Sequence, residues 1–209
     1  LINYLALLGW SPGDDREIMS LDEMIEAFTL DRVGRTPARF DLTKLAWMNG
    51  EYLRSLPTER VMEVMDQWLE VADSALAAIP RGHRQALFEM YRPRVSTLAE
   101  IEQQGWFFLA RPTEWVEKAV KKHIRKGGGA EHLAAARERL AALETWDAPA
   151  IEEAVRELSE ARTVRMGKVA QPLCIAVSGG PVSPAIGETL AFLGQGEVLE
   201  RIDACLASL

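Results

Sequence analysis

The sequence predicts an all-α protein, and three observations carry that expectation. Apolar residues recur at spacings of three and four through most of the chain, the period of helices buried on one side. Ser20-Leu21-Asp22-Glu23 and Thr97-Leu98-Ala99-Glu100 read as capping boxes, and Asp41 and Asp147 stand as N-caps ahead of apolar-periodic runs. No convincing strand pattern and no internal repeat is visible. With 209 residues, 48% apolar and 26% charged, the chain is long enough for a buried core in one or two domains.

The elements follow in order. Leu1 to Leu8 reads as the end of a helix with an inward stripe of Leu1, Tyr4, Leu5 and Leu8, closed by Gly9 and Ser11-Pro12-Gly13. Asp14 to Glu17 is a charged surface loop. The first capping box opens a short helix through Phe28, and Thr29 to Val33 adds one turn. Gly34 to Phe40 is a loop holding Arg35, Pro37 and Arg39. Asp41 caps a helix from Leu42 to about Ser55 with its stripe at Leu42, Leu45, Met48, Tyr52, Leu53 and Leu56. At about 100° per residue, Trp47 falls on the opposite side with Lys44 and Arg54. Such a face suits either a sugar–phosphate backbone or another domain.

Pro57 breaks the chain, and Val61, Met65, Trp68, Ala72 and Leu76 mark a long helix to Ala78, stopped by Pro80. A helix from about Gly82 to Tyr91 ends at Arg92-Pro93-Arg94, where the proline is expected to force Arg92 out of helical geometry. Those two guanidiniums suit base-edge reading, or carbonyl capping and ion pairs with Glu100 or Glu102. The second capping box opens a helix ended by Gly105. Trp106-Phe107-Phe108-Leu109 is too dense to be exposed and is expected to form a hinge core between two helical subdomains. Pro112-Thr113 starts a helix to about Lys126 with Val116, Val120 and Ile124 inward. Lys118, Lys121, Lys122 and Arg125 form its basic face, either phosphate-tracking or simply solvated.

Gly127-Gly128-Gly129 reads as a flexible link. Helices follow from Ala130 to about Thr145 and from about Ala148 to Ala161, and a last one runs from Val198 to about Ser208. Between them lies Met166 to Gly194. Its halves read as two buried helices joined by a rigid, backbone-rich corner at Ser178 to Pro184. Ser183 and Pro184 suit the start of the second helix, one as cap and the other as a residue needing no N–H partner. The corner is either a seat for a flat ligand or a plain helix connection.

Composition narrows the function. The net charge of −7 argues against indiscriminate nucleic-acid binding and leaves local basic clusters as the only route to RNA. No run is long enough for a membrane span, and no signal-peptide pattern opens the chain. The start inside an amphipathic pattern, without Met, is read as the interior of a longer protein. Cys174 and Cys205 read as buried thiols of a cytoplasmic protein, and His83, His123 and His132 lack metal-ligand spacing. There is no Gly-rich phosphate loop, nucleophile–base pair or persuasive carboxylate pair, so no catalytic residue and no metal site is assigned.

Three separated segments carry a family resemblance. Lys168, Ala170-Gln171-Pro172-Leu173-Cys174, Ser178-Gly179, Ser183-Pro184 and Leu190-Ala191-Phe192-Leu193-Gly194 resemble the anticodon-binding end of bacterial glutamyl-tRNA synthetases. Tyr91-Arg92-Pro93-Arg94 with Thr97-Leu98 resembles a second corner of that family. Phe40-Asp41-Leu42, Lys44-Leu45 and Trp47 to Tyr52 resemble the tail of its stem-contact fold. The match departs at Cys174, commonly arginine in the family, and at Ser178, commonly threonine.

The resemblance implies the helical end of a stem-contact domain over 1–57, then an anticodon-binding helical domain over 58–209, with subdomains about 58–106 and 107–209. It implies RNA contacts from Lys44, Trp47 and Arg54 at the tRNA stem, and from Arg94, Cys174, Ser183, Pro184 and Ile186 at the anticodon. Arg94 would read the third anticodon base. A thiol at 174 cannot supply the cationic contact, so either specificity is relaxed there or Lys168 or Arg165 substitutes. The implied partners are glutamate tRNA and an N-terminal catalytic domain of the same protein, with neither membrane nor DNA. ATP and Mg belong to the full-length family enzyme, and this fragment itself needs no cofactor. The competing reading is a non-catalytic helical protein-interaction domain.

Overall fold

The computed structural model describes residues 1–34 and 38–209; the part of the predicted 34–40 loop holding Arg35 and Pro37 lies outside the described residues. Among the described residues the chain is helical, with one isolated extended bridge between Trp10 and Val33. None of these helices is long and apolar enough to cross a membrane. The chain divides into two compact units, Leu1–Ile101 and Glu102–Leu209.

The first unit begins with α1 (Ile2–Gly9). Its inward residues are Asn3 and Tyr4, while Leu1 and Leu5 of the expected stripe are exposed. Polar anchoring sets this rotation. Asn3 Oδ1 accepts from the Met19 N–H at 3.0 Å and lies 2.8 Å from the Tyr52 hydroxyl. The Tyr4 hydroxyl accepts from the Asp41 N–H at 2.5 Å, and its ring stands edge-on to Phe40. α2 (Leu21–Ala27) starts at the predicted capping box, with Ser20 and Glu23 bonding reciprocally, and a 3₁₀ turn over Leu30–Arg32 follows.

α3 (Leu42–Ser55) is capped by Asp41, whose carboxylate accepts from the N–H groups of Thr43 and Lys44. Met48 and Leu53 are buried, but Leu42 is exposed, one turn too early to reach the core. α4 (Thr58–Leu69) is shorter than expected. Ser74 accepts from the Leu76 N–H and opens a separate 3₁₀ turn over Ala75–Ala78, which buries Leu76 and leaves Val71 outside. α5 (Arg81–Tyr91) and α6 (Leu98–Gln104) follow. At the start of α6, Glu100 reaches back to accept from the Ser96 N–H at 3.0 Å and the Thr97 hydroxyl at 3.2 Å.

The second unit holds α7 (Trp106–Leu109), α8 (Glu117–His123), α9 (Gly129–Ala141), α10 (Ala148–Ala161), α11 (Gly167–Ser178), α12 (Ile186–Leu193) and α13 (Gln195–Ala207). α11 is its axis, packed against α8, α9, α10, α12 and α13, with Val169, Leu173, Ile175, Ala176 and Val177 fully enclosed. By composition Leu173 to Val177 would also suit a strand, but the run is helical and buried all round. α8 starts later than expected. The Val116 N–H donates to Gly179 O at 2.8 Å instead of continuing a helix, and Val116 is exposed.

The glycine triplet is a tight crossing, not a plain spacer. Gly127 and Gly128 have φ of 66° and 76°, and a Cβ on Gly129 would overlap the His123 carbonyl. Gly187 likewise lets α12 lie directly on Ala148 and Glu152 of α10.

The close approach at Gly129 makes Gly129→Ala destabilising by about 2–4 kcal/mol in urea unfolding, the range of overpacked or strained core changes. Gly82→Ala serves as the control. It has open space around it and should leave stability within about 1 kcal/mol, on the favourable side.

Candidate nucleic-acid interface

In the first unit, α3 sets out Lys44, Trp47 and Arg54 as its face predicts. Trp47 is 41% exposed, in the open although its helix has a buried side. Both cations are half-committed: Lys44 Nζ bonds the Glu17 carboxylate, and Arg54 meets Glu51 at 2.7 Å. These are exposed pairs worth little, so a phosphate can displace them.

Arg92 and Arg94 have parted ways. Arg92 keeps helical geometry, with φ −44° and ψ −43°, despite the following proline. Its guanidinium explains why. Nε donates to Leu53 O at 3.0 Å and Nη2 to Arg54 O at 3.1 Å and to Leu56 O, while Nη1 reaches Thr58 Oγ1 at 3.1 Å. Arg92 therefore closes the C-terminal carbonyls of α3, a need that local sequence does not show. Arg94, two residues on, is exposed. Asn49 Nδ2 donates to Ser96 O at 2.5 Å, and Gly50 lies under both Arg54 and Ser96. The corner carrying Arg94 thus abuts the Arg54 end of α3.

In the second unit, the link from Gly179 to Ala185 folds back along one face of α11. Gln171, Cys174 and Ser178, spaced three and four apart, form that face. Gln171 Nε2 donates to Pro181 O at 2.8 Å. The Cys174 thiol donates to Ser183 Oγ at 3.2 Å, and the Ser183 hydroxyl in turn donates to Pro184 O at 3.0 Å. Ser178 Oγ lies 2.7 Å from Cys174 O and 3.0 Å from Gly180 O. Burial pushes the Cys174 thiol above its ordinary pKa, with the Ser183 and Ser178 bonds opposing.

The end of α11 is closed from outside. Ala176 O accepts from the Trp115 indole at 3.1 Å and Val177 O from Arg201 Nη1 at 2.7 Å. Arg201 is only 5% exposed, and it also donates to Phe107 O and Glu197. Burial alone would raise the Glu197 carboxyl, but Arg111 and Arg201 outweigh it and hold it below the ordinary value.

Several expected placements need correction. Ser183 does not cap α12: the N-cap is Ala185, with no side-chain bond, because the Ser183 hydroxyl is spent on Cys174 and Pro184. Pro184 is buried, and Ser183 and Ile186 are partly so. Cys174 is 7% exposed, beneath the link. Lys168 stands six residues before it, on another side of α11, with its ammonium beside Gly127 and near His123. Of the expected hinge core, Phe107 alone is fully buried, and Trp106 is 43% exposed. Gln171, Trp115 and Arg201 were missed as organisers of the corner. The Gln171, Cys174, Ser178 spacing was the one signal that could have found the first.

Among the described residues, no group of three or more His, Cys, Asp or Glu is placed to hold a metal. Residues 53–206 match the family described as "Anticodon binding domain", and the chain belongs to that family. Curated relatives carry a more particular name. The glutamate–tRNA ligase of Moorella thermoacetica is 37% identical over 206 residues, 97% of this chain and 42% of that protein. Glutamate–tRNA ligase 2 of Paramagnetospirillum magneticum is 40% identical, over 98% of this chain and 43% of that protein. A crystal structure of a glutamate tRNA ligase from Elizabethkingia meningosepticum, in complex with its amino acid, superposes with a TM-score of 0.88 at 30% identity, covering all of this chain and 40% of that one. The chain therefore spans about two-fifths of the length of these relatives.

Arg92→Ala should lower stability by about 2–4 kcal/mol, because it strips the bonded partner from several α3 carbonyls at once. Chemical denaturation of the purified chain checks this.

Proposed function

We propose that this chain is the tRNA-binding portion of a glutamate–tRNA ligase, contacting the stem through Lys44, Trp47 and Arg54 and the anticodon through Arg94 and the Cys174–Ile186 corner. The observation that carries the reading is the membership of residues 53–206 in the anticodon-binding family. Within the chain, the 1–57 and 58–209 partition then separates stem contact from anticodon recognition. The chemistry is electrostatic placement followed by base-edge reading. Lys44 and Arg54 exchange weak surface carboxylates for phosphates, which positions the RNA. Arg94 offers a planar fork to one base edge, and the corner offers backbone groups in fixed positions.

The partner in this reading is glutamate tRNA, and the cell compartment is the cytoplasm. ATP and Mg act where the remainder of the ligase forms the glutamyl-adenylate, and that remainder would be the second partner. The exposed apolar side chains Leu1, Ile2, Leu5, Leu21 and Ile25 suit packing against it. No residue of this chain is assigned a role in adenylate chemistry.

Binding of glutamate-tRNA transcripts tests the proposal, with anticodon variants and glutamine tRNA alongside. Salt-dependent affinity that varies with the anticodon supports it, and affinity blind to the anticodon sinks it. Arg94→Ala should erase about 1–3 kcal/mol of discrimination at a single anticodon position. Cys174→Arg should tighten tRNA binding and steepen its salt dependence by about one unit, since it restores the cation that the family pattern has at this place. Unchanged binding in that variant would remove position 174 from the interface.

A further inference from the structure

Trp106 was expected in a core and is instead 43% exposed beside the α11–α12 corner. The placement is tight. A Cβ on Gly179 would lie 3.4 Å from Trp106 Cζ2, 3.0 Å from Pro112 Cβ and 3.1 Å from Glu114 O. Gly179 also has φ of +76°, so the corner is built from a residue without a side chain where the indole approaches. Val116 is 51% exposed, and its N–H donates to Gly179 O at 2.8 Å. Val182, on the link itself, is 76% exposed. An indole and two valines thus border a short run of rigid, polar backbone.

This border's mixture of apolar and polar surface has a natural occupant. An unstacked nucleobase has an apolar π-face and a hydrogen-bonding edge. The indole and Val116 match the face, and the Gly180–Ser183 backbone matches the edge. Trp106 does not serve as a core residue in this arrangement, because its neighbour Phe107 fills that place at 1% exposure. Gly179 holds the indole and the link in register. Gln171 and Cys174 fix the link from the α11 side.

We infer that Trp106, with Val116 across Gly179 and Gly180 from it, is a stacking shelf for one unstacked anticodon base of the bound tRNA. This rests on the functional reading above, and the test separates the two. Glutamate-tRNA transcripts are titrated against the wild-type chain, Trp106→Ala and Trp106→Phe. Each titration is repeated with transcripts carrying an abasic nucleotide at one of the three anticodon positions. Thermal melting confirms that each variant is folded.

Trp106→Ala should weaken binding of intact tRNA about ten-fold or more, the range of base–aromatic stacking lost to alanine. Trp106→Phe should keep most of the affinity. With the base removed at one anticodon position, and at that position only, Trp106→Ala and wild type should bind alike. Equal binding of intact tRNA by Trp106→Ala and wild type overturns the shelf, as would a partner other than RNA covering it. A loss that persists with every abasic transcript overturns it too, since that marks a structural role. If the wild-type chain itself ignores the anticodon, the functional reading fails, and the shelf fails with it.

Discussion

Everything at the candidate anticodon corner depends on one face of α11 holding the chain that leaves it. A helix that ends in buried surroundings must find partners for its last carbonyls. Here the partners come from four directions. Ser178 reaches Cys174 O, the Gly179 N–H closes on Ile175 O, Trp115 takes Ala176 O and Arg201 takes Val177 O. Gln171, Cys174 and Ser178 then fasten the outgoing link at Pro181, Ser183 and Gly180. A surface segment acquires fixed backbone positions in this way, and fixed donors and acceptors are what a recognition site needs. The buried guanidinium of Arg201 tolerates its surroundings because Glu197 and two carbonyls satisfy it.

Much of the fold was legible because its determinants are local. Ser20 with Glu23, Asp41 and Asp147 mark helix starts within three residues of the groups they bond. The apolar periods of α9 and α10 bury Leu133, Ala136, Leu140, Ile151 and Val155, while in α13 Ile202 is buried and Leu199 and Leu206 pack partly buried against the same core. Four of the misreadings share a cause. Leu1 and Leu5 lost to Asn3, whose partners Met19 and Tyr52 lie far along the chain. Arg92 stays helical to serve carbonyls nearly forty residues upstream. Val116 leaves the helical pattern for Gly179, and Ser183 turns to Cys174 instead of capping. In each case a distant polar partner overrode a local preference.

The candidate interface divides along the same line. Lys44, Trp47 and Arg54 could be placed on one face from helix geometry alone, and they are found there. The state of Cys174 could not. Where the family resemblance expects a cation reaching outward, the thiol is tucked under the link and bonded to Ser183. The residue that departs from the family pattern has become part of the scaffold. The nearby cation considered as its substitute, Lys168, is turned toward the α8–α9 connection.

The fastening of Arg92 to the end of α3 has a mechanical consequence. One guanidinium grips the carbonyls of Leu53, Arg54 and Leu56 while its own backbone leads straight into Arg94. Asn49 adds a second tie from the middle of the same helix to Ser96. A displacement of α3 along its axis would therefore pull on the segment that carries Arg94, so that helix and the arginine beyond it are coupled as one lever arm.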